Sequence, residues 1–179
     1  MFAALLVAAP VSLARAEEAV IDGFHMERVG GLVSISFDVE NCFSTKMEEA
    51  IEAGVPTTFN FFVRLHRKRY ITVDKRIVRH KFKHTIAYDN IQKDFRVSCE
   101  ETGKEIRAKT LDEAKTHMAR VESFPVVAER LLKEGNYRLS VKAELDPVKL
   151  PLRMEYIFFF VSLWDFETEW YRHNFKVLP

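Results

Sequence analysis

Apolar and polar residues alternate with a period near two along much of the chain, so strands should outnumber helices. Leu32, Ile35, Phe37 and Val39 are set against Ser34, Ser36, Asp38 and Glu40, which lie largely on the other phase. Thr57 to Leu65 is rich in β-branched and aromatic residues and predicts a second strand. From Val73 to Asp89 the alternation is long, with Val78, His80, Phe82, His84, Ile86 and Tyr88 on one phase and Arg79, Lys81, Lys83 and Thr85 on the other. The turn at Asp89-Asn90 and a return strand from Asp94 to Cys99 complete a hairpin. Val20 to Met26, Tyr137 to Leu145 and the strictly alternating Trp164 to Tyr171 add further strand signals. Helix signals are few. Ser44 is placed to cap a short helix through Ala53, with Gly54 and Pro56 stopping it. Thr110-Leu-Asp-Glu113 is a capping box that predicts a helix from Leu111 to about Glu122, ended by Phe124-Pro125. A helical turn is expected between Glu129 and Glu134, and Leu152 to Val161 fits either helix or buried strand. The pattern predicts a mainly β domain, an antiparallel β-sandwich or open barrel with two or three short helices.

The first residues break this pattern. Phe2 to Leu13 is apolar apart from Pro10 and Ser12, and it closes on Ala14-Arg15-Ala16 before an acidic Glu17-Glu18. Small residues flanking such a site fit signal-peptidase cleavage, and the run is shorter than the roughly 20 apolar residues that span a bilayer. Residues 1–16 are therefore expected to be a signal peptide and residues 17–179 a single mainly β domain, periplasmic or otherwise exported. After cleavage no run is long enough to be transmembrane; the longest, Ile157 to Trp164, reads as core.

Composition narrows the reading only a little. With 47% hydrophobic and 30% charged residues the chain is of ordinary globular type. Its 27 basic and 26 acidic residues nearly cancel, so net charge names no partner. In an oxidising compartment Cys42 and Cys99 are candidates for a disulfide worth about 4 kcal/mol by chain entropy, and two half-buried free thiols fit equally well. Neither cysteine has zinc-site or redox-pair spacing.

Several segments, taken in order, have a familiar look. These are Gly31-Leu-Val-Ser-Ile-Ser-Phe-Asp38, Ala53-Gly-Val-Pro56, Tyr137-Arg-Leu-Ser-Val-Lys-Ala-Glu-Leu-Asp146, Leu150-Pro151 and Trp164-Asp-Phe-Glu-Thr-Glu-Trp170. The chain resembles, over nearly its whole mature length, the bacterial family catalogued as domain of unknown function 4390. That resemblance implies a small exported protein without an established activity and carries no catalytic residues with it.

The charge distribution says more than the net charge. From Arg64 to Lys83 nine basic residues face one acid, Asp74. Arg64, Arg67, Lys68, Arg69, Lys75 and Arg76 are the candidate binding patch, with Arg67 to Arg69 expected at a hairpin tip. The competing reading pairs the Arg79, Lys81, Lys83 ladder with Asp165, Glu167 and Glu169 on a neighbouring strand. Phe82, Ile86, Phe166 and Trp170 would then meet beneath it.

The remaining candidates are weaker. His80 and His84, four apart on a strand, stand about 13 Å apart and cannot share an ion, so no metal ligand is assigned and no cofactor is expected. Phe158, Phe160, Trp164 and Trp170 are a candidate aromatic ligand surface, although alternating aromatics usually belong to a core. No nucleophile-elbow, zinc-protease or phosphate-loop motif occurs, so no catalytic residue is named and an enzyme is not expected. The sequence thus predicts a non-catalytic envelope module binding an envelope protein, or an anionic surface polymer or lipid. Nucleic acid is not an expected partner. A lipid or hydrophobic-ligand carrier is the second reading and a hydrolase the third.

Overall fold

Alternating segments can bury one face only by stacking sheet on sheet, and two antiparallel sheets do so here. The computed structural model describes residues 18–69, 71–146 and 166–178. A three-stranded sheet orders β1 (Val20–Val29), β2 (Leu32–Glu40) and β7 (Arg120–Ala128) side by side. The six-stranded sheet runs β6 (Lys104–Ala108), β5 (Asp94–Cys99), β4 (Lys75–Asp89), β3 (Thr57–Arg67), β8 (Gly135–Leu145) and β9 (Tyr171–Val177). Neither sheet closes into a barrel, so the sandwich alternative holds.

Two helices fill what the small sheet leaves open. Helix α1 (Thr45–Glu52) starts where the Ser44 hydroxyl accepts the Met47 N–H, and α2 (Leu111–Ala119) where the Thr110 hydroxyl accepts the Glu113 N–H. Helix α2 packs on β4, β5 and β6, with Ala114 and Met118 buried, and Lys115 reaches Glu48 of α1 at 2.6 Å. The core joins both sheets: Phe37 of β2 meets Phe61 of β3 edge-on, and Phe82 of β4 stacks on Phe124 of β7 at 4.4 Å. No helix among the described residues is long and apolar enough to cross a membrane.

Three elements differ from the sequence expectation. The helix predicted to reach Glu122 stops at Ala119, and the chain continues directly as β7. Pro125 has no N–H for a central ladder but is tolerated because β7 is a sheet edge, and Ser123 adopts φ +46° where the register slips. Strand β6, where the sequence pattern predicts no element, extends the sheet beyond Cys99. The last strand is Tyr171–Val177. The preceding stretch contributes only one isolated bridge, Glu167 to Glu144, while residues 147–165, with Leu152 to Val161 and Trp164 among them, lie outside the described residues.

The expected pairing of basic and acidic ladders is corrected for the same reason. Strand β4 lies between β3 and β5, and β3 and β8 intervene before Glu167 is reached. Glu167 instead pairs with Lys142 of β8, and Asp165 lies outside the described residues.

Candidate functional site

Side chains that pair directly across an antiparallel ladder project to the same side, so register fixes what shares a face. Phe59, Phe61, Val63 and Leu65 of β3 are fully buried, which turns Phe62 and Arg64 outward. Arg64 stands opposite Arg79 on β4 and Ser140 on β8, and Ser140 stands opposite Arg172 on β9. Phe62 likewise lies between Lys81 and Lys142. The outer face of the large sheet is therefore basic across four strands. A like-charged pair such as Arg64 and Arg79 opposes sheet formation. Arg79, Lys81 and Lys83 are exposed, and none of the nine cations from Arg64 to Lys83 makes an ion pair with a described acid.

At one end of this face Lys68, Arg69 and Asp74 of the β3–β4 tip stand beside β8 and β9. Lys68, Arg69, Asp74, Asn136, Arg138 and Lys176 help to line a cleft of about 590 Å³ there, with the buried Tyr137 and half-buried Phe175 in its wall. Four cations thus surround one acid. Asp74 accepts the Arg69 N–H at 3.3 Å and pairs with Arg138 at 3.6 Å, which orders the loop and leaves Lys68, Arg69 and Lys176 without a described counter-ion. Ile71 and Val73, at the same tip, are 96% and 89% exposed. An exposed tip that is both basic and apolar suits a charged surface with an apolar interior beneath it.

The predicted patch residues divide by role. Lys68 and Arg69 enter the cleft, and Lys75 and Arg76 are exposed beside it at the start of β4. Arg67 serves the fold instead, its Nη2 donating to the Glu134 carbonyl at 2.5 Å. Arg64 lies over the ring of Trp170 at 4.1 Å, and Lys142 approaches the same ring at 5.8 Å. Trp170 is thus covered on the outer face by the protein's own cations, away from the core position expected for it. Phe166 does reach the core edge, its ring 4.6 Å from Phe59. Phe158, Phe160 and Trp164 of the candidate aromatic surface lie outside the described residues. Arg138, Asn136 and Lys176 were missed by sequence reading, because each is isolated in sequence and joins the tip only through the β3–β8–β9 register.

The histidines behave as strand residues. His80 donates a ring N–H to the Val126 carbonyl of β7 at 2.8 Å and so ties the two sheets together. His84, four residues on, is fully buried; its Nδ1 donates to the Met118 carbonyl at 2.9 Å, and Nε2 reaches Glu101. Burial disfavours the charged ring, but hydrogen bonds to Cys99 and Glu101 outweigh it and push the pKa up to about 9. Cys42 and Cys99 are both free and buried, so the candidate bridge is not formed. Burial pushes the Cys42 thiol up to about 12, which leaves no reactive thiolate there.

A family model described as Domain of unknown function (DUF4390) matches residues 16–174. No curated protein and no solved structure matches the chain.

Proposed function

Starting from a chain that belongs to the DUF4390 family, a domain of unknown function, we propose an exported, non-catalytic module that binds an anionic envelope surface through the basic cleft and tip. The observation that carries this reading is a run of nine cations without a described counter-ion, continued by Arg138 and Lys176 around one cleft. Like charges side by side oppose folding, and an anionic partner is what offsets that repulsion. Ile71 and Val73 favour a lipid surface over a soluble polyanion, since two exposed apolar side chains gain nothing from a polymer in water. The apolar run and small-residue site of residues 1–16 support export, and cleavage would give a mature chain beginning at Glu17.

The test is co-sedimentation of the mature domain with vesicles of phosphatidylglycerol and phosphatidylcholine, against phosphatidylcholine alone. Binding to the anionic vesicles alone is expected, falling steeply with added salt. Reversing Lys68, Arg69 and Lys176 together to Glu should abolish it, with Arg67 left to hold Glu134. Retention of a soluble polyphosphate without vesicle binding would turn the reading toward a surface polymer. Equal binding by the reversed variant would refute the cleft as the site.

A further inference from the structure

Strand β4 carries a second cluster of ligating groups, on the buried face opposite the cations. His84 projects from its middle, Cys99 ends the neighbouring β5 directly opposite it, and Glu101 stands in the turn that follows. The donor atoms of these three residues all lie within 4.8 Å of one another. Nothing in the binding reading uses them.

We propose that His84, Cys99 and Glu101 form a binding site for a zinc-class divalent cation. Four observations support it. First, the donor set is the right mixture: one imidazole, one thiol and one carboxylate suit a borderline metal and are poor for calcium or magnesium. Second, the ring is already oriented, because Nδ1 donates to the Met118 carbonyl of α2 and leaves Nε2 as the ligating atom. Such an outer hydrogen bond is the usual way a protein fixes the tautomer of a metal-binding histidine. Third, Glu101 brackets that nitrogen, its two oxygens at 3.0 and 3.1 Å from Nε2. Two ligands roughly 2.1 Å from a tetrahedral ion stand about 3.4 Å apart, so the hydrogen-bonded nitrogen and oxygen need part by only a few tenths of an ångström to admit it. The sulfur has at most about an ångström to close. Fourth, the site is dry but has an entrance. The His84 side chain is 0% and the Glu101 side chain 6% exposed, whereas the turn residues Thr102 and Gly103 beside Glu101 are exposed. Gly103 adopts φ +64°, a conformation that lets so short a turn return into β6.

On binding, the proton on Nε2 and the thiol proton of Cys99 leave to solvent, and the ion takes their place among three protein ligands. The fourth position falls on the turn side, where solvent or the second Glu101 oxygen can supply it. Such a site would pin the β5–β6 turn to the sheet and α2 to both, which is a structural task and needs no substrate access.

The experiment uses the mature protein stripped with a chelator and titrated with Zn²⁺ against a chromophoric competitor, with Co²⁺ as optical probe. One ion per chain is expected, with a dissociation constant below about 1 μM. The Co²⁺ form should show the near-ultraviolet band of a thiolate bound to cobalt. Cys99→Ser and Glu101→Gln keep the shapes of the side chains and should each weaken binding by about 100-fold. Cys99→Ser should also abolish the thiolate band, and Cys42→Ser should change nothing. Circular dichroism on each variant separates lost binding from lost folding. Absence of binding at about 10 μM Zn²⁺ would overturn the proposal. So would binding that survives both Cys99→Ser and Glu101→Gln. Neither result bears on the basic cleft, which is far along the sheet and contains no donor of this set.

Discussion

The two faces of β4 use charge in opposite ways. Outward, Arg79, Lys81 and Lys83 stand in solvent without a described counter-ion, and the tip beyond them opens into a cleft. Inward, one charged ring, His84, is enclosed by aromatic neighbours Phe61 and Phe82 and held by Glu101 and the Met118 carbonyl. On the open face Arg79, Lys81 and Lys83 have no described acid to offset their repulsion, and these cations remain available to a partner. The closed face compensates its charge within the chain, and so contributes to stability. Exposed charges in high dielectric change stability little, whereas a buried pair is expensive to break on one side. Removing the inner ring should therefore cost stability heavily, and replacing outer residues should act mainly on binding, with small effects on stability.

The sharpest break in that contrast is His84→Ala, which strands Glu101 and opens a void. We expect a loss of about 3–5 kcal/mol in chemical denaturation of the metal-free protein. A loss below about 1 kcal/mol would mean that the inner cluster is as dispensable as the outer cations. Thr110→Ala removes the cap of the helix that supplies the Met118 carbonyl and should cost about 1 kcal/mol by the same measurement. Arg79→Glu is expected to separate stability from binding. An acid opposite Arg64 should raise stability by about 0.2–1 kcal/mol while lowering vesicle affinity. A destabilised Arg79→Glu would show that the row of arginines is held by something other than the sheet. The smallest effect is expected for Lys176→Ala, within about 0.5 kcal/mol in stability, and visible only as weaker, less salt-sensitive binding.

Period-two alternation made β2, β3, β4 and β5 legible in the sequence, and cap chemistry located α1 and the start of α2. Strand β7 was hidden because Pro125 and the Ser123 irregularity interrupt its phase, and both are tolerated only at an edge. Strand β9 alternates no more strictly than the Trp164 to Tyr171 stretch before it. Which of the two pairs with β8 depends on hydrogen bonding that periodicity does not encode. The basic block was visible as composition. Its partners Arg138 and Lys176, and the company His84 keeps with Cys99 and Glu101, arise from register between segments far apart in the chain. Spacing rules on one segment place His80 and His84 apart correctly, but cannot bring a neighbouring strand's side chains to either of them.

The position of β3 has a consequence for how the chain assembles. Strand β3, one of the two central strands of the large sheet, pairs on its other side with β8, from Arg67 with Tyr137 to Phe59 with Leu145, across more than a third of the sequence. Loops of that span close slowly, and folds dominated by such contacts are late to acquire their transition state. Until Leu145 has been synthesised, the β3–β4 hairpin carries an open hydrogen-bonding edge, with Phe59, Phe61, Val63 and Leu65 on its uncovered side. An unpaired edge with that side chain set is the kind of template on which a second nascent copy can align. The molecule is therefore at its most adhesive during biosynthesis, and a chain ending before Gly135 should be recovered as aggregate, with the loose edge of β3 as the cause.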